Sequence, residues 1–150
     1  LTTEATMPEH KPFDFDAIDP GRNLVNAAVG LSAVTTAFNV GAKAILTPTN
    51  SGRSARLVSN FRPVLPIQAV TPNEWAVTKM TVYWGVEPML SGRSVGSLAY
   101  VVDNAMVEAK MTGIAKQDDL VVVTAGDPAV KVEYNGKEVS TNVVYVAQVP

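Results

Sequence analysis

Ala44-Ile45-Leu46-Thr47-Pro48-Thr49-Asn50-Ser51-Gly52-Arg53-Ser54-Ala55-Arg56-Leu57-Val58-Ser59-Asn60-Phe61 is the stretch on which the fold turns. Ala44-Ile45-Leu46 is an apolar run that reads as a buried strand, and beyond the turn Ala55, Leu57, Val58 and Phe61 recur at helical spacing. Thr49, Asn50, Ser51, Gly52, Arg53 and Ser54 therefore make a strand-to-helix turn. The first N–H groups of a helix have no intrahelical acceptor and the helix dipole adds partial positive charge there, so such a turn accepts an anion. Thr49, Ser51 and Ser54 supply hydroxyl donors, Gly52 permits close backbone approach, and Arg53 and Arg56 bring formal charge. The same residues also suit a simpler purpose, in which Asn50 or Ser51 only caps an ordinary helix.

Outward from this turn the chain alternates. Upstream, Leu24, Ala28, Leu31, Val34 and Phe38 recur at helical spacing until Asn39-Val40-Gly41, a helix stop with glycine at the C-cap. Residues 43–47 read as a strand, 51–61 as a helix, 66–70 as a strand, 73–84 as a helix and 86–90 as a strand. Leu98, Val101, Val102, Ala105 and Ala109 then mark a long helix that ends near Gly113, and residues 120–124 and 143–147 read as two further strands. Near-continuous apolar strands separated by helices argue for a mainly parallel sheet covered on both faces. The expected architecture is a three-layer α/β/α sandwich around a mixed five-stranded sheet. The last connection differs in kind. Asn135-Gly136 lies between residues 130–134 and 137–139, the strongest short signal for a β-hairpin. A hairpin in place of a helix lets the final strand run antiparallel to its neighbour.

The totals exclude several classes. At 150 residues the chain is long enough for one domain that buries about two thirds of its unfolded surface. A hydrophobic share of 47% with 17% charged residues is globular composition, and a net charge of -2 leaves no basic footprint for nucleic acid. No apolar run approaches the roughly 18 residues of a membrane span. With no cysteine, disulfides and thiolate metal sites are excluded, in keeping with a cytoplasmic location. The single histidine, His10, lies among the first 22 residues, which hold Pro8, Pro12, Pro20 and five acidic side chains without a sustained period and read as a linker. Asp118-Asp119 precedes a strand, where such a pair caps a turn more often than it holds a metal. No nucleophile–base pair and no Walker-type loop occurs, so no catalytic, metal-binding or cofactor residue is assigned.

Further motifs carry a resemblance. Ala42-Lys43-Ala44-Ile45, Ser51-Gly52-Arg53-Ser54-Ala55-Arg56-Leu57-Val58-Ser59, Phe61-Arg62-Pro63, Pro66-Ile67-Gln68-Ala69-Val70-Thr71-Pro72-Asn73, Gly85-Val86-Glu87-Pro88, Asp119-Leu120-Val121-Val122-Val123-Thr124-Ala125-Gly126 and Thr141-Asn142 closely resemble, in content and spacing, the carboxy-terminal domain of pyruvate kinase. The resemblance covers residues 23–150, and residues 1–22 look like the link from a catalytic barrel outside this sequence. It implies a piece of a glycolytic phosphotransferase. In that family phosphoryl transfer from phosphoenolpyruvate to ADP takes place in the barrel with Mg²⁺ and usually K⁺, so this segment alone is expected to be inactive and free of cofactors. The domain itself binds a phosphorylated allosteric effector and contributes an interface to a homotetramer. The effector's phosphate loop falls on Thr49, Asn50, Ser51, Gly52, Arg53 and Ser54.

Relatives that respond to fructose 1,6-bisphosphate hold its second phosphate with a Trp and an Arg ahead of the long helix and close the site with a Gly-rich loop. This sequence departs from both. Between Met89 and Tyr100 there is no Trp and Arg93 is the only cation, while residues 127–140 replace the Gly-rich loop with a hairpin that offers Lys131 and Lys137. Arg93, Lys131 and Lys137 are thus the candidates for closing over an effector, expected to be a sugar phosphate or AMP. Trp75 and Trp84 are expected on the preceding helix as core or interface residues. Self-association is expected as a dimer of the isolated chain and a tetramer of the full-length enzyme, through residues 23–38 and the final strand. The rival reading is a structural domain with a relic anion site.

Overall fold

A computed structural model describes Asp14 and residues 23–150 of the chain; the expected linker, residues 1–22, otherwise lies outside the described residues. Four helices and seven strands follow in order: α1 Leu24–Val40, β1 Ile45–Pro48, α2 Arg53–Asn60, β2 Ile67–Thr71, α3 Glu74–Met80, β3 Val86–Leu90, α4 Leu98–Thr112, β4 Leu120–Ala125, the short β5 Glu133–Tyr134 and β6 Lys137–Glu138, and β7 Val143–Gln148. The main sheet has five strands in the order β3-β2-β1-β4-β7. Its first four strands are parallel, and β7 runs antiparallel beside β4, with Val123 opposite Tyr145. The antiparallel ending follows from the hairpin, which returns the chain without a helical crossover.

The central strands are apolar along their whole length because both faces are covered. Leu46, Val121 and Val123 pack with Ala105 and Ala109 of α4 on one face. Ile45, Ile67 and Val122 pack with Ala33 and Ala37 of α1 and Val58 of α2 on the other. Ala55, Ala69, Ala76 and Met80 extend that second layer beneath α3. Three layers result, as the alternation of segments requires.

The buried stripe of α1 is Ala27, Gly30, Ala33 and Ala37, with Val34 partly buried against the same core and Leu24, Ala28 and Phe38 exposed. Small residues face inward because α2 lies so close that a Cβ on Gly30 would sit 3.4 Å from Leu57 Cβ. Phe38 is consequently left 71% exposed. Helix α3 ends at Met80, four residues before the expected Trp84. There the Thr81 hydroxyl donates to the Thr78 carbonyl at 2.6 Å and the Tyr83 N–H to the Met80 carbonyl at 3.1 Å. Side-chain competition of this kind turns the chain out of a helix. Trp75 and Trp84 are 58% and 45% exposed, so neither is a core residue, and the Arg62 guanidinium lies 5.4 Å from the Trp84 ring centroid.

The hairpin forms around a two-residue turn in which Asn135 and Gly136 both have positive φ, 52° and 73°. That is the pattern that matches the natural twist of the strands. Its ladder is shorter than expected, with Glu133 opposite Glu138 and Tyr134 opposite Lys137. Asp118 and Asp119 serve a turn: Asp119 accepts the Lys116 N–H at 2.8 Å, and Asp118 has φ 71°. Among the described residues no helix is long and apolar enough to cross a membrane.

Candidate functional site

The strand order places a site by itself. From β1 the chain moves toward β2 and β3 through α2 and α3 on one face, then crosses through α4 on the other face to β4, on the far side of β1. Loops leaving the carboxyl ends of β1 and β4 therefore diverge, and such a switch point opens a crevice. A cleft of about 530 Å³ lies there, lined by the loop after β1, the segment ahead of α4 and the hairpin after β4.

The loop after β1 is held in shape by its own polar groups. The Gly52 N–H donates to Thr49 Oγ1 at 2.9 Å, and the Arg53 N–H to Ser51 Oγ at 3.4 Å. Asn73 Nδ2 donates to the Asn50 carbonyl at 2.9 Å, tying the loop to the start of α3. Gly52 has φ 87°, and a Cβ there would meet Met80 Cγ at 2.9 Å, so both the conformation and the space demand glycine. Ser51 and Asn50 do not cap α2 through a strong side-chain bond; the residue before the helix is Gly52, which has no side chain. The N–H groups of Ser54 and Ala55 head the helix with no intrahelical acceptor, leaving partial positive charge at its start.

Thr49, Asn50, Ser51, Arg53 and Ser54 all line the cleft, whereas Gly52 is buried beneath it. Ser54 is 4% exposed, and its Oγ lies 2.7 Å from the Thr141 Oγ1. The Ser54 hydroxyl thus has a protein partner already, and where Thr141 donates, its own proton is left for a ligand. Of the expected closing residues, Lys131 lines the cleft, while Arg93 and Lys137 are exposed outside that lining. Two carboxylates that sequence reasoning passed over, Asp127 and Glu138, line it as well.

The hairpin base is closely fitted. A Cβ on Gly126 would collide with the Ser140 carbonyl oxygen at 2.2 Å. Asn142 accepts the Asp127 N–H at 2.8 Å and donates to the Val130 carbonyl at 3.1 Å, while the Thr141 N–H donates to Asn26 Oδ1 at 2.8 Å. Asn26 had no sequence signal, because asparagine in a helical run carries no mark of a partner 115 residues away. Thr141 and Asn142 did stand out through the resemblance, although with no role attached.

The sequence model described as "Pyruvate kinase, alpha/beta domain" matches residues 27–147. Pyruvate kinases of Staphylococcus aureus strains USA300 and NCTC 8325 are each 41% identical over 107 residues, which is 71% of this chain and 18% of theirs. A crystal structure of a Cryptosporidium parvum pyruvate kinase is similar with a TM-score of 0.69 and 26% identity, over 87% of this chain and 24% of that one. The C. parvum pyruvate kinase in complex with ADP is similar with a TM-score of 0.70 and 27% identity, over 87% of this chain and 25% of that one. The chain thus spans about a fifth of the curated relatives it matches.

Proposed function

Since the chain belongs to the pyruvate kinase α/β-domain family, we propose that it is the effector-binding and self-associating domain of a pyruvate kinase. Phosphoryl transfer from phosphoenolpyruvate to ADP then belongs to a separate barrel domain that uses Mg²⁺ and usually K⁺, and the chain alone is inactive. The whole enzyme is cytoplasmic and serves glycolysis. The observation that carries the reading is the cleft at the switch point, where the helix start, Arg53 and three hydroxyl side chains converge under the hairpin. An anion there gains charge-assisted hydrogen bonds from donors already in position. Thermal melting against a panel of sugar phosphates and AMP tests it, because a ligand at 100 times its dissociation constant adds about 2.7 kcal/mol to stability. A panel that leaves the melting temperature unmoved favours a purely structural domain with a relic anion site.

Self-association has its own support. Turning the small residues of α1 inward leaves Leu24, Ala28 and Phe38 exposed along the outer side of the helix. Strand β7 is the outermost strand beside β4, with Tyr145 and Val146 exposed at 42% and 51%. An unpaired strand edge flanked by apolar helix surface is a template for a second copy, and a two-fold arrangement uses the same patch twice. The chain dimerises through α1 and β7, and the full-length enzyme is a tetramer.

A further inference from the structure

We infer that a second cleft, at the far end of α2 from residues 49–54, binds an anion carried on a planar ring. The cleft has a volume of about 370 Å³ and lies between the last turn of α2, the turn that follows it and residues 82–84. That is the size of a small-ligand pocket. Arg56 and Arg62 bring two guanidinium groups to its wall, and no carboxylate of a described residue joins them in the lining. Arg56, expected to bring charge to the loop after β1, lines this cleft and not the first.

The end of a helix exposes carbonyls, which repel an anion. Here the carbonyls of two lining residues are already engaged. The Ser59 carbonyl accepts the Arg62 N–H at 2.9 Å, and the Trp84 carbonyl accepts the Ser59 hydroxyl at 2.6 Å. The two guanidiniums therefore dominate the wall, and their forked donors match the paired oxygens of a carboxylate or a phosphate. Arg62 has φ 49°, a conformation uncommon for a residue with a side chain, and its guanidinium lies 5.4 Å from the Trp84 ring centroid. Charge and aromatic surface are thus held side by side. Trp84 and Val82 remain 45% and 82% exposed, so ring and apolar surface is left beside the two arginines. A planar ring stacks on that surface while its anionic substituent meets the guanidiniums. A nucleoside monophosphate and an aromatic carboxylic acid share this chemistry.

The chain has two tryptophans, and Trp75→Phe leaves Trp84 as the reporter of the cleft. Trp75 is 58% exposed on α3, so its replacement keeps the fold. Fluorescence titration of this variant with guanosine monophosphate and with 4-hydroxybenzoate, each against ribose 5-phosphate as competitor, tests the inference. The expected result is saturable quenching by a ring-bearing anion, bound about tenfold more tightly than ribose 5-phosphate and weakened about tenfold when Arg56→Gln and Arg62→Gln are added. Both arginines are exposed, so the added changes leave the core intact. Tighter binding of guanosine monophosphate upholds the inference with a nucleotide as the source of the ring, and tighter binding of 4-hydroxybenzoate upholds it with an aromatic acid. Quenching that survives the loss of both arginines, competition by ribose 5-phosphate at equal affinity, or no saturable change with either ring-bearing anion overturns it.

Discussion

Ser54 Oγ and Thr141 Oγ1 lie 2.7 Å apart although 87 residues separate them in the chain. The contact joins the first turn of α2 to the exit of the hairpin, and Thr141 in turn binds Asn26 on α1 through its N–H. Both hydroxyls are almost fully buried, so each depends on the other for its hydrogen bond. The cleft floor is therefore a shared feature of three distant segments.

Thr141→Val removes one partner of this pair. The Ser54 hydroxyl left behind is buried and unmatched, which costs about 1–3 kcal/mol of stability. Ser54→Ala together with Thr141→Val removes both and is expected to cost less than the two single changes combined. Urea denaturation of the four chains measures the coupling, and strict additivity would show that the hydroxyls do not interact.

Gly52→Ala combines a left-handed backbone with a clash against Met80. The expected destabilisation is about 1–3 kcal/mol for the backbone strain alone, with more from displacing Met80. Gly136→Ala is the control, because that glycine also has positive φ, 73°, and nothing stands within 4 Å of its Cβ position. Denaturation midpoints should rank the parent first, Gly136→Ala second and Gly52→Ala last.

Gly126→Ala places a methyl group against the Ser140 carbonyl, which only a backbone shift at the hairpin base can relieve. Ligand affinity at the cleft is expected to fall at least tenfold, or about 1.4 kcal/mol, since the hairpin wall moves away from the loop after β1. Calorimetry reads the change directly, and an affinity equal to the parent's would show that the hairpin takes no part in binding.

Phe38→Glu puts a charge on the exposed seam of α1, where the side chain makes little internal contact in the monomer. Sedimentation equilibrium is expected to show a dimer for the parent and a monomer for the variant. A dimer that survives the substitution moves the interface elsewhere.

Much of this architecture was legible because its signals are local. The alternation of apolar strands and helices, the Asn135-Gly136 turn and the Gly41 helix stop each depend on neighbouring residues, and each stands where expected. Helical spacing alone does not say which side of α1 faces inward. The buried stripe is Ala27, Gly30, Ala33 and Ala37, and at Gly30 a Cβ would sit 3.4 Å from Leu57 Cβ on α2, a tertiary constraint invisible in a single helix. The end of α3 depends on competition from Thr81, which helix periodicity does not register. Thr49, Ser51 and Arg53 stood out as a turn with donors and charge, but the opposing wall of Asp127 and Glu138 forms only when the hairpin folds over the loop. Asn26 acquires its place in the same way, through a contact between segments remote in the chain.

The central claim is that residues 49–54 hold the phosphate of an effector, and amide chemical shifts of the isotope-labelled chain during titration with glucose 6-phosphate test it most directly. The account predicts saturable shifts at the N–H groups of Arg53, Ser54 and Ala55 and at Lys131 across the cleft, with the N–H groups at the start of α4 responding less. It also predicts that Arg53→Ala weakens the titration at least tenfold, about 1.4 kcal/mol. Shifts confined to other parts of the surface, or no shift at millimolar ligand, would contradict it.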